Sequence, residues 1–106
     1  MSQIRYAPEV QADFERFKNF LLEVAPEKIS EAMKAIFEGL EILEHTPLAG
    51  EVHPVGNSLE MRKLVISYGQ NGYVALYSFD AVKDLVTVHA IRHQKELNFL
   101  SRNRRF

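Results

Sequence analysis

Basic and imidazole side chains suited to acid–base or phosphate-binding chemistry gather toward the end of the chain. His89, Arg92 and His93 fall within five positions, and Arg62 lies in an earlier segment of alternating residues. Histidine titrates near neutral pH and can carry a proton, while an arginine guanidinium can clamp a phosphate. Structural roles compete with this interpretation. Arg62 can pair with a carboxylate, and a histidine such as His89 within an alternating strand is typically a hydrogen-bonded structural residue.

The four histidines also raise the question of a metal site. His89 and His93 are four positions apart, which on a strand separates them by roughly 13 Å, too far to share one ion. The chain has no cysteine, so thiolate zinc sites, disulfides and cysteine nucleophiles are excluded. We therefore expect no metal ion and no other cofactor.

Length and composition indicate one soluble domain over residues 1–106. The apolar fraction is 46% and the charged fraction 25%, as in ordinary globular proteins. No apolar run approaches the roughly 20 residues that cross a bilayer, and the N-terminus lacks a secretory signal. We expect a cytoplasmic protein that does not associate with membranes.

Charge is distributed unevenly along the chain. Residues 1–59 carry five Lys/Arg against ten Asp/Glu, and residues 92–106 carry five Lys/Arg against one Glu. The first half is thus acidic. The end of the chain is basic, both in the tail at about residues 97–106 and in the few residues before it. Such a tail can steer a protein toward phosphates or an acidic partner, or remain a solvated terminus.

Apolar periodicity predicts two helices joined as an antiparallel hairpin. The first should begin at Pro8 and stop before Pro26, which can itself open the second. Phe20 and Val24 widen the apolar stripe of the first helix, while Asp13 falls among the polar residues on the other side of that helix. The stripe of the first helix comprises Val10, Phe14, Phe17 and Leu21, and that of the second Ile29, Met33, Ile36, Leu40 and Leu43.

A period of two then predicts strands at residues 61–67, 73–79 and 85–91, with a short N-terminal strand at 3–6. The run Gly69-Gln70-Asn71-Gly72 is typical of a hairpin turn. Helices followed by strands indicate an α+β fold. We predict a two-helix hairpin packed on one face of a mostly antiparallel four-stranded sheet, in the order β-α-α-β-β-β.

This order, with particular residues, resembles the RelE/ParE toxins of type II toxin–antitoxin systems. The resemblance covers roughly residues 4–97. Its motifs are Pro-x-x-Gly after the second helix, Arg-x-Leu on the next strand, an aromatic-rich central strand and a histidine near the end. Here they read Pro47-Leu48-Ala49-Gly50, Arg62-Lys63-Leu64, Gly72-Tyr73-Val74-Ala75-Leu76-Tyr77 and Val88-His89-Ala90-Ile91-Arg92-His93-Gln94-Lys95-Glu96. The last two stretches favour the ParE branch.

The resemblance implies a growth-inhibiting, plasmid-stabilising toxin that a cognate antitoxin neutralises, in a possible toxin–antitoxin hetero-oligomer. A ParE-type member would inhibit DNA gyrase by protein contact, without catalysis. The alternative is a RelE-type, metal-independent endonuclease that cuts mRNA on the ribosome, and a third is an inactive relative kept for its antitoxin complex. RelE nucleases usually carry an arginine where Val74 stands and a basic or aromatic residue where Gln94 stands. These departures, and a pI of 6.4, favour ParE.

The resemblance also suggests which residues act. For target binding these are Arg62, Arg92, His93, Lys95 and Arg102. In the nuclease alternative Arg62, Arg92 and His93 become the catalytic candidates, with His89 as a further proton carrier. The tyrosines Tyr68, Tyr73 and Tyr77 could stack on bases, but aromatic residues at strand spacing more often pack in the core.

Overall fold

The computed structural model describes residues 1–53, 61–69 and 71–93. Within these ranges the chain forms two long helices and five strands. No helix there is both long and apolar enough to cross a bilayer. The elements are β1 (Gln3–Tyr6), α1 (Pro8–Val24), a 3₁₀ turn (Pro26–Lys28), α2 (Ile29–His45), β2 (Glu51–His53), β3 (Met61–Tyr68), β4 (Asn71–Asp80) and β5 (Leu85–His93).

The strands form one sheet in the order β1-β5-β4-β3-β2. β1 runs parallel to β5, and the other three pairs are antiparallel. Parallel pairing of β1 with β5 requires a long crossover, which the two helices and the following strands supply. The predicted α+β class and the mostly antiparallel sheet are confirmed.

The predicted number of strands was wrong, because the sheet has five strands and not four. The additional strand β2 pairs its three residues with Met61–Lys63 at the start of β3. Three residues contain too little alternation to produce a recognisable period, and the prediction treated them as loop. Residues 54–60, which the prediction also treated as loop, lie outside the described ranges.

The helices begin and end close to the boundaries that the prolines predicted. α1 starts at Pro8 and ends at Val24, two residues before Pro26. Pro26 opens a 3₁₀ turn instead of α2 itself, which begins at Ile29. A tight 3₁₀ turn is a common entry into an α-helix, so the proline still marks the boundary.

The last turn of α1 departs from the predicted apolar stripe. Phe20 and Val24 are 59% and 60% exposed, while Val10 and Phe17 are buried. The Phe17 ring lies 5.1 Å from that of Tyr73, which pairs with His93, the last residue of β5. None of the described strands buries Phe20 or Val24 at the C-terminal end of α1.

The core lies between the helices and one face of the sheet. On α2 the stripe of Ile36, Leu40 and Leu43 is completely buried, as its spacing predicts. The strands contribute alternate residues to the same face. Those that are buried in the core cluster are Ile66, Tyr73, Ala75, Tyr77, Val86, Val88 and Ile91.

Close packing of α2 on β3 depends on Gly39. A β-carbon at this position would lie 2.8 Å from Cγ2 and 2.9 Å from Cγ1 of Ile66. Ile66 is 5% exposed, so its side chain has little room to move. Glycine in a helix interior lowers stability by about 1 kcal/mol relative to alanine, and the close approach offsets that loss.

We expect Gly39→Ala to lower the free energy of unfolding by about 1 kcal/mol, because overpacking outweighs the gain in helix propensity. In an Ile66→Ala background the same substitution should raise stability by about 1 kcal/mol, since the obstructing side chain is gone. Urea unfolding of the four proteins measures this cycle. The same sign in both backgrounds would contradict the proposed contact.

Candidate target-binding site

A buried carboxylate on α1 organises the region around two of the predicted site residues. Asp13 is only 4% exposed. Its Oδ2 accepts the N–H of Ile91 at 2.9 Å, and its Oδ1 accepts Nη1 of Arg92 at 2.7 Å. Nη1 of Arg16 also reaches Oδ1, at 3.1 Å. Charge-assisted bonds at these distances are the strong class of hydrogen bond, so α1 is fastened to β5 here.

The need for this carboxylate follows from the length of β1. The last pair in the β1–β5 ladder joins Tyr6 to Val88, because the chain then leaves the sheet to begin α1 at Pro8. Ile91 lies three residues further along β5, beyond the reach of β1. Its buried N–H needs an acceptor, and Asp13 supplies the oxygen that a longer strand would have supplied.

Asp13 was assigned to the polar side of α1, and that interpretation was wrong. Val10, Asp13 and Phe17 are the buried residues of α1. Their three- and four-residue spacing places position 13 on the buried face of the helix. The signal was therefore present in the sequence, but a carboxylate at a core position was interpreted as solvated.

Arg62 lies on the helix-facing side of the sheet. In the β3–β4 ladder it pairs with Tyr77, which is completely buried. Its Nη1 donates to the carbonyl oxygen of Gly50 at 2.8 Å and lies 3.3 Å from that of Leu48. The guanidinium thus contacts the turn that follows α2, and its predicted role in target binding stays a prediction.

Gly50 and Tyr77 complete the same cluster. The N–H of Gly50 donates to the hydroxyl of Tyr77 at 2.8 Å. A β-carbon on Gly50 would lie 2.8 Å from that hydroxyl and 2.8 Å from the carbonyl oxygen of Lys63, so only glycine fits. Burial raises the pKa of Tyr77, while the Gly50 bond and the positive charge of Arg62 act in the opposite direction. The Pro-x-x-Gly and Arg-x-Leu motifs therefore meet in one structural cluster.

His93 packs against an aromatic ring near the end of the sheet. Its ring meets that of Tyr73 edge-on, with centroids 5.3 Å apart. Tyr73 in turn contacts Phe17 and Tyr68. Burial raises the pKa of Tyr73, and Tyr68 adds to the effect. Tyr73 and Tyr77 are core residues, which leaves neither ring available to stack on a base.

His89 lies at an irregularity in β5. Leu76 of β4 pairs with Ala90, and the next residue pairs with Val88, so His89 is left between the two pairs. Its Nε2 lies 2.8 Å from Oγ of Ser78. A residue inserted in this way turns its side chain out of the regular alternation. His89 is a half-buried, hydrogen-bonded residue in this arrangement.

Among the described candidates, Arg62 and His93 lie far apart on the sheet. Arg62 is on β3 and pairs with Tyr77 of β4, whereas His93 is on β5 and pairs with Tyr73 of β4. Four residues along a strand correspond to about 13 Å, and two strand spacings add nearly 10 Å across the sheet. Arg92 turns instead to Asp13 at the β5 edge. Lys95 and Arg102, also predicted for target binding, lie outside the described residues.

Comparison with known proteins decides the family. The model of the family described as "ParE toxin of type II toxin-antitoxin system, parDE" matches residues 4–98. The chain belongs to the ParE toxin family. The predicted RelE/ParE kinship is thereby confirmed, and with it the identity of the chain as a toxin of a type II toxin–antitoxin system.

Two individual proteins agree with membership in the ParE toxin family. "Toxin RelE3" of Caulobacter vibrioides is 30% identical over 97 residues, which cover 91% of this chain and 98% of that protein. The solved structure titled "Chromosomal ParDE TA system from P. aeruginosa" covers 88% of this chain and 96% of its own, with a TM-score of 0.66. At 17% identity the structural match supports the fold alone. Membership implies a cognate antitoxin as partner.

We expect Asp13→Asn to lower the free energy of unfolding by about 2 to 4 kcal/mol, because Arg92 and Arg16 lose the charge they surround. Chemical denaturation measures the loss. Glu15→Gln is the matched control, since its 3.8 Å contact with Lys18 is exposed and should change stability by less than about 0.5 kcal/mol. Equal effects of the two substitutions would show that Asp13 does not fasten α1 to β5.

Proposed function

We propose that this protein is a ParE-type toxin that inhibits DNA gyrase through direct protein contact and is neutralised by a cognate antitoxin. It acts in the cytoplasm, arrests growth and breaks no bond itself. The observation that carries this proposal is the engagement of the two candidate arginines, Arg62 and Arg92, in contacts inside the fold.

The arginine contacts count against catalysis for a chemical reason. Cleavage of RNA needs a cation and a proton carrier brought together around one phosphate. Arg62 is directed to the backbone of Gly50, and Arg92 to the carboxylate of Asp13. The separation of Arg62 from His93, and the pairing of Arg92 with Asp13, support a toxin that works through a surface.

The charge distribution favours the same proposal. Residues 1–59 carry an excess of five negative charges, and the pI is 6.4. A protein that binds within ribosomal RNA gains affinity from phosphate neutralisation, and this excess would oppose it. Gyrase, as a protein partner, requires no such neutralisation. Ribosome-dependent mRNA cleavage is the alternative that an experiment must separate, because the Caulobacter relative has the RelE name.

Induced expression without the antitoxin tests the proposed function. We expect filamentation, a DNA damage response and altered nucleoids, with messages intact, and inhibition of supercoiling by purified gyrase. Arrest of translation with messages cut inside codons would contradict the proposal and establish the nuclease alternative.

The Arg62→Lys variant sharpens this test. Lysine keeps the charge but cannot reproduce the guanidinium contacts with Gly50 and Leu48. If Arg62 is structural, growth inhibition by the variant should fall only as far as its thermal stability falls. Loss of activity at unchanged stability would give Arg62 a direct role. Lys63→Arg, at the neighbouring position, is the control for a change of cation on the same strand.

A further inference from the structure

The last two turns of α1 carry an exposed apolar patch formed by Phe20 and Val24, called here the α1 patch. The two side chains are 59% and 60% exposed. They follow the buried Phe17 by three and seven positions, so they continue the buried stripe of the helix along the same face. The core-facing side of α1 therefore extends further along the helix than the described strands that pack on it.

α1 and β5 run in the same direction and stay level with each other. Contacts at three successive levels join them. These are the Ala7 N–H to the Val88 carbonyl oxygen, the Asp13 carboxylate to the Ile91 N–H, and the Phe17 ring to Tyr73, the ladder partner of His93. The helix advances about 1.5 Å per residue and the strand about 3.3 Å, so both cover about 15 to 17 Å between the first level and the third.

The described part of β5 ends at His93, level with Phe17. Along the helix axis, Phe20 lies about 4 Å beyond that level and Val24 about 10 Å beyond it. An extended chain covers about 3.3 Å per residue and reaches both levels within about three residues. The apolar residues of the next segment follow His93 by four to seven positions, which leaves room for the chain to turn onto the helix. They are Leu97, Phe99 and Leu100.

We propose that residues 97–100 of the same chain dock on the α1 patch and cover Phe20 and Val24. Removal of apolar surface from water on both sides supplies the driving force. The short connection from His93 keeps the segment at a high effective concentration, so a small patch is sufficient to hold it. Lys95, predicted for target binding, is then fixed on the surface between two anchored points. Docking itself does not depend on the target of the toxin, whereas this use of Lys95 rests on the proposed function.

A second copy of the chain fits the α1 patch less well. Two exposed side chains offer far less than the roughly 800 Å² that each partner contributes to a stable interface of standard size. The charges nearby have both signs, with Lys18 and Glu23 on α1 and with Glu27 and Lys28 in the 3₁₀ turn. They select neither a basic nor an acidic partner. Apolar contact with a tethered segment is the occupant that suits both the size and the charge of the patch.

Limited digestion of the full chain with trypsin tests this docking, since trypsin cuts after Lys95 and Arg102. A docked segment must open before it is cut, so the cleavage rate follows the population of the open form. We expect Phe20→Ser combined with Val24→Ser to speed cleavage at both sites by about tenfold or more, because the apolar contact is lost. Leu22→Ser is the matched control, since Leu22 is 55% exposed on the opposite side of α1 and should leave both rates unchanged.

Paired cysteines measure the contact directly, because the chain contains no cysteine of its own. A disulfide requires Cα atoms within about 7 Å of each other. We expect Val24→Cys, combined with Leu97→Cys or Leu100→Cys, to form a disulfide within one chain about tenfold faster than Leu22→Cys combined with the same tail cysteine.

The other outcomes overturn the docking in distinguishable ways. Equal cleavage of the wild type and the double serine variant, or equal disulfide formation from positions 22 and 24, would place the segment elsewhere and leave the proposed function standing. Disulfides that join two chains and increase with protein concentration would identify a second copy as the occupant of the α1 patch.

Discussion

The bonds from Asp13 to Ile91 and Arg92 are the constraint on which the arrangement of this fold depends. β1 must end at Tyr6 so that the chain can rise into α1, and β5 continues beyond it. A carboxylate reaching down from α1 satisfies the backbone that β1 leaves behind. Burying that carboxylate is costly unless it is paired, so Arg92 is held beside it. The position of α1, the length of β1 and the direction of Arg92 are therefore aspects of one solution.

A second cluster, near the opposite edge of the sheet, joins the turn after α2 to the strands. The turn after α2 passes close to β3, where Gly50 leaves room for the Tyr77 hydroxyl and its carbonyl accepts Arg62. The two arginines that suggested phosphate chemistry thus join helices and turns to the sheet. These contacts are the support for the proposed inhibition of a protein target over the proposed alternative of phosphodiester cleavage.

The sequence allowed most of the fold to be predicted, because long elements repeat their signal. The α2 stripe extends over five apolar positions, and β3, β4 and β5 are each eight or more residues long and rich in β-favouring side chains. β2 was missed because three residues repeat nothing. Asp13 was misplaced because residue type was given more weight than position on the helix. The role of Arg62 was beyond any pattern: a guanidinium on a strand has the same sequence signature whether it meets a phosphate or the carbonyl of Gly50, and only the three-dimensional path of the turn decides between them.

Besides contributing to the core, α2 lines two surface grooves, one on each of its sides. One side of it lines a groove beside β1, through Phe37, Glu41 and Glu44. Its other side, with Ile42, borders a smaller and more apolar groove along β3. Each groove flanks an outer edge of the described sheet, where no described strand lies beyond β1 and β2 pairs with only the first three residues of β3. The close approach of Gly39 to Ile66 sets how closely α2 packs on β3, and both residues line the smaller groove.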